Sequence, residues 1–177
     1  MIVLGICGAT SQDKSDSNMP GPTFYGIGTW NADSLGNHRV VLTVTQQAEA
    51  VVARIPWRRR DKHPEDKGIS MIDASTGSRI HNARWLKITR EYGEVVFQPA
   101  TAPGQYYVYY MLYRSKGSRN YPKGYYLPME ETVDRTWLKN HNLDTPEAAA
   151  KSARALPAAE LVQRHCIVSF SLGRSIR

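Results

Sequence analysis

The residues best equipped for chemistry sit at positions 57–60, where Trp57 is followed by Arg58, Arg59 and Arg60. An indole beside guanidinium groups can stack on the apolar face of a sugar while the guanidinium forks donate to hydroxyl, acetamido or carboxylate oxygens. The same residues can equally be structural, with Trp57 closing one end of a core and the arginines pairing with Asp61, Glu65 or Asp66. Tyr107 and Tyr109 offer a second surface, a flat platform for a sugar if their side of the strand is open; the alternative leaves the Tyr106 side outside. Two acidic pairs, Glu65-Asp66 and Glu130-Glu131, have the composition of an acid/base couple. Such couples work only in a cleft that drives their pKa values apart, and polar loops more often leave them solvated. The five histidines (His38, His63, His81, His141, His165) show no metal-ligand spacing, and there is no GxSxG, P-loop or complete GxGxxG motif. The residues therefore predict contact with a carbohydrate, no catalytic group, no metal and no cofactor.

The elements that must position these groups read as strands. Residues 85–113, WLKITREYGEVVFQPATAPGQYYVYYMLY, contain three aromatic and β-branched runs at 85–89, 94–98 and 106–113. Turn formers separate them, so the spacing predicts an antiparallel meander, with Tyr92-Gly93 closing the first turn. Upstream, 24–30 reads as an irregular edge element. Residues 38–45 read as a strand with His38, Val40, Leu42 and Val44 inward. Residues 50–57 read as another that must end or lie at an edge at Pro56, which has no N–H to donate. A further strand at 69–72 leads into an Asp-to-Gly turn at 73–77. Residues 114–123 read as a basic loop. Thr145-Pro146-Glu147 carries the marks of a helix start, with the helix running to Leu156 before Pro157. Beyond about Gln163 neither periodicity is visible. The pattern predicts an all-β fold, an antiparallel β-sandwich of jelly-roll or immunoglobulin-like type, with a short C-terminal helix and an irregular tail. The expected divisions are 1–22 as signal remnant or linker, 23–143 as the sandwich, and 144–177 as helix and tail.

At 177 residues, 41% hydrophobic and 22% charged, the chain has the composition of a globular protein with one core. No apolar run is long enough to span a membrane as a helix. Cys7 and Cys166 lie near opposite ends and read as free thiols. The net charge of +7 is unevenly spread: 12 Lys+Arg face 10 Asp+Glu in residues 1–113, but 11 face 6 in residues 114–177. A nucleic-acid groove concentrates cations on the folded scaffold, so binding through Arg58–Arg60 and residues 114–123 ranks behind sugar or protein binding. Residues 1–9 are short and apolar and 10–22 polar. They read either as a frayed terminus or as the end of an export signal, the latter implying a secreted, periplasmic or outer-surface lipoprotein.

Several blocks together carry a family resemblance: DSLGNHR at 33–39 running into VVL, IPWRRRD at 55–61 with Pro64 and Glu65, IDASTG at 72–77, REYGEVVFQP at 90–99, and PGQYYVYY at 103–110. Over about residues 30–151 the chain resembles the N-terminal β-sandwich region of bacterial proteins similar to glycoside hydrolase family 123, the β-N-acetylgalactosaminidase group. The resemblance implies a sandwich that precedes a (β/α)8 barrel, on which an adjacent Asp-Glu pair assists attack by the substrate's own 2-acetamido group. Such a barrel needs about 200 residues or more, which this sequence does not contain. The resemblance therefore transfers no catalytic residue to this chain. It implies a truncated, noncatalytic accessory domain whose partners are the missing barrel and a carbohydrate. The run 164–177 departs from the family pattern.

Overall fold

Alternating burial builds the first layer. The computed structural model describes residues 24–118 and 121–167; the candidate signal at 1–22, Cys7 and the end of the tail at 168–177 lie outside them. In β2 (His38–Val44), Val40, Leu42 and Val44 point into the core, as the alternation predicts. β7 (Gly104–Tyr110) pairs antiparallel with β2 and sends Tyr106, Val108 and Tyr110 the same way. β4 (Ile69–Asp73) flanks β7 on its other side. β10 (Glu160–Cys166) flanks β2, and β1 (Phe24–Ile27) adds to β10 in parallel, giving the order β1-β10-β2-β7-β4. Residues 164–166, where neither periodicity is visible, are thus the end of an interior strand.

The second layer is β3 (Val51–Pro56), β6 (Tyr92–Phe97) and β5 (Ala83–Ile88), with β6 in the middle. Pro56 ends an edge strand, as expected. Val51, Ala53, Ile55, Val95 and Phe97 from this layer pack on the inward residues of the first, which makes the fold a two-sheet sandwich. Val96 and Ala50 face the other way, beneath α2 (Arg135–Asn140) and α3 (Pro146–Ala153), where Trp137, Leu138, Leu143 and Ala149 cover them. Burial on both faces fits the unbroken apolar run Val95-Val96-Phe97 that ends β6. Asp134 caps α2 by accepting from the Trp137 N–H at 2.9 Å, and Thr145 caps α3 by accepting from the Ala148 N–H at 3.3 Å.

Three sequence expectations are corrected. The meander breaks after β6, because β7 crosses to the other sheet instead of pairing with its predecessor. Tyr92-Gly93 is not the turn but the start of β6. Thr89 makes the turn, its backbone N–H and hydroxyl both donating to the Tyr92 carbonyl at 2.9 Å. Gly93 is needed for space: a Cβ there would lie 2.4 Å from the Trp57 ring. The expected basic loop is also a strand pair, β8 (Tyr113–Ser118) with β9 (Tyr121–Tyr126), standing outside both sheets. An isolated two-stranded ribbon is marginal in water. This one is anchored at its root, where the Leu127 N–H donates to Leu112 O at 2.9 Å and the Gly68 N–H to Leu127 O at 2.7 Å. It also packs on the short helix α1 (Ala32–Leu35).

Candidate functional site

Trp57 leaves β3 into the end of the core and is 2% exposed. Its ring packs against Trp85 and Tyr110, with centroids 6.1 and 5.1 Å away, and its indole N–H donates to Thr89 O at 2.8 Å. No ring face is left for a sugar, so the stacking role expected of Trp57 gives way to its structural one. Arg59 is buried with it. The guanidinium lies 5.3 Å from the Trp57 ring and forks onto Asp61, with Nε and Nη2 donating at 3.0 and 2.7 Å. Burial pushes the Asp61 carboxyl up, but the Arg59 hydrogen bonds and charge outweigh it and hold the group below the ordinary carboxylate range. Arg58 and Arg60 alternate outward and are exposed. The run of three arginines therefore divides into one core group and two solvated ones.

Tyr107 and Tyr109 lie on the outer face of the five-stranded sheet, where they meet Arg39, Trp30 and His165. The Arg39 guanidinium sits 4.2 Å over Tyr107 and 4.7 Å over Trp30, and its Nε donates to His165 Nδ1 at 3.2 Å. Burial, with the nearby Arg39 charge, moves the His165 pKa down. Tyr109 is only 4% exposed, with Trp30 against its edge. The tyrosines are thus brought together, but under an arginine lid rather than as an open platform. Arg39 and Trp30, absent from the sequence candidates, complete that cluster. Their signal was faint, since an outward arginine in a strand ordinarily reads as solvated.

Three more carboxyls shift in the same direction as Asp61. Burial pushes Asp73 up, but its Ser75 and Thr101 hydrogen bonds and the turn's N–H groups overcome this and lower its pKa. Its own backbone N–H, chiefly, lowers Glu65, and the Trp137 N–H lowers Asp134. Glu94 accepts from Arg54 and Glu130 from Arg79, each at 2.8 Å. Glu65 and Asp66 join His63 in the one group of possible metal ligands among the described residues, and all three side chains are exposed.

Open aromatic surface occurs elsewhere. Tyr125 and Tyr126 at the end of β9 are 49% and 41% exposed. With Tyr113, Gly124 and Asn37 they line a concavity of about 300 Å3. Lys67 Nζ stands 5.8 Å from the centre of the Tyr126 ring. Sequence reading passed over this place because Tyr125 and Tyr126 read only as a brief apolar return after the basic loop.

Fold and site together define an all-β sandwich domain with a basic, aromatic hairpin. The chain belongs to the family described as glycoside hydrolase 123, N-terminal domain, whose model matches residues 28–164. No curated protein and no solved structure matches it.

Proposed function

We propose that this domain is the noncatalytic β-sandwich of a glycoside-hydrolase-like protein, a support for a catalytic barrel that also contacts carbohydrate. Family membership supplies the glycoside hydrolase setting. The observation that carries the noncatalytic reading is that the family match is to the N-terminal domain, over residues 28–164; Asp61, Glu65, Asp73 and Asp134, whose carboxyls all shift down, add to it. A general acid for glycosidic oxygen needs a carboxyl held protonated near neutral pH, which requires a shift upward. Donors and cations around these groups favour the ionised form instead.

The test is hydrolysis of an aryl N-acetyl-β-galactosaminide by the purified chain. No turnover above buffer is expected. Turnover that disappears when one carboxylate is replaced by its amide would overturn the noncatalytic reading. The apolar opening of the sequence supports export to the periplasm or cell surface, which fractionation of the native host checks.

A further inference from the structure

The concavity beside the hairpin combines three features that point to a ligand. Its walls are tyrosines, two of them the most exposed large aromatics among the described residues. Asn37, also on the wall, has a buried carboxamide oxygen with no hydrogen-bond partner among the described residues. A buried acceptor left unmade costs stability, so its retention needs an external donor or another reason. Cations flank it. Arg114 pairs with Tyr125 across the ribbon, Lys123 precedes it by two residues on the same strand, and Lys67 approaches Tyr126. Between Leu112 and Pro128 the sequence carries Arg114, Lys116, Arg119 and Lys123 and no acid.

We propose that this cleft is a subsite for an anionic oligosaccharide. One sugar ring lies against Tyr113, Tyr125 and Tyr126, a hydroxyl or amide N–H of the sugar donates to Asn37, and carboxylate or sulfate groups meet Lys67, Arg114 and Lys123. Aromatic faces take the C–H surface of a pyranose, and the cations select its charged substituents. The volume, about 300 Å3, is at the small end of ligand pockets and suits one ring of a longer chain. The proposal rests on the carbohydrate contact proposed above and gives it a place and a ligand class.

The experiment is calorimetric titration of the whole chain with a heparin-derived sulfated hexasaccharide, with neutral maltohexaose, and with a single-stranded DNA of matched charge. The sulfated sugar is expected to bind more tightly than either, and less tightly as salt rises. The double substitution Tyr125→Ala/Tyr126→Ala is expected to weaken it about tenfold or more, as for lost aromatic stacking, with thermal unfolding unchanged. Lys123→Glu provides a second variant with a smaller loss in the same direction. Equal binding of maltohexaose overturns the anionic class, and tighter binding of DNA overturns the glycan. If the wild-type chain binds neither hexasaccharide, the carbohydrate contact fails and the subsite with it. If the sulfated sugar binds and both variants bind it as well as wild type, only the subsite falls.

Discussion

Two tyrosine-rich strands, β7 and β9, are separated in the chain by β8 and behave in opposite ways. β7 carries Tyr106, Tyr107, Tyr109 and Tyr110, and each meets another ring, a guanidinium or a backbone group. Tyr106, fully buried, accepts from the Thr101 N–H at 2.8 Å and donates to the Thr101 carbonyl. β9 ends in Tyr125 and Tyr126, which remain open to solvent. The difference follows from position. β7 lies between β2 and β4 with a second sheet beneath it, whereas β9 has only β8 beside it. Tyrosine content in a strand thus says little about binding. What decides is whether the sheet has already used the ring.

Substitutions can break or sharpen that contrast. The largest effect is expected from Tyr106→Ala, which empties a fully buried site and should lower stability by about 3–5 kcal/mol in urea unfolding. A loss as small as that of a surface residue would erase the distinction between the strands. Gly93→Ala should come next, at about 1–3 kcal/mol, because the added methyl meets the Trp57 ring on which Tyr110 packs. Tyr106→Phe keeps the ring and removes the hydroxyl, and should lower stability by about 1 kcal/mol.

A smaller effect concerns His38, which stacks on Tyr110 at 5.2 Å. Burial, followed by the Arg59 charge, lowers its pKa from the ordinary 6.5. The unfolded chain therefore takes up the proton first, and stability should fall as pH drops below about 6.5 towards the folded value. Replacing His38 with Gln should flatten that limb in unfolding measured across pH. Asp61 belongs to a separate, more acidic limb: its contribution is present above the ordinary carboxylate pKa and is lost as pH falls through its depressed value. The smallest effect is Tyr125→Ala, expected within about 0.5 kcal/mol of wild type, since the ring leaves an exposed surface.

Much of the sandwich is legible in the sequence. The alternation in β2, the edge proline of β3 and the Thr145 cap of α3 are local signals, and the structure has them where they were read. The crossing of β7 to the other sheet was not legible, because turn residues at 99–104 specify a bend but not the sheet that receives the chain. β10 was hidden by its exposure pattern: Val162 points to solvent and charged residues crowd the strand, so no period of two survives. The site reading failed at Trp57 for a related reason. An indole beside arginines looks the same in one dimension whether its face is open or pressed against Trp85 and Tyr110.

The placement of β10 bears on the order of events during synthesis. Among the described residues β1 pairs only with β10, so Phe24 finds Gln163 as its partner across nearly the whole described chain. A ribosome must have released residues through 166 before the larger sheet can be completed. Until then β2 has an uncovered flank, an open edge of the kind that pairs with a neighbour's unpaired strand.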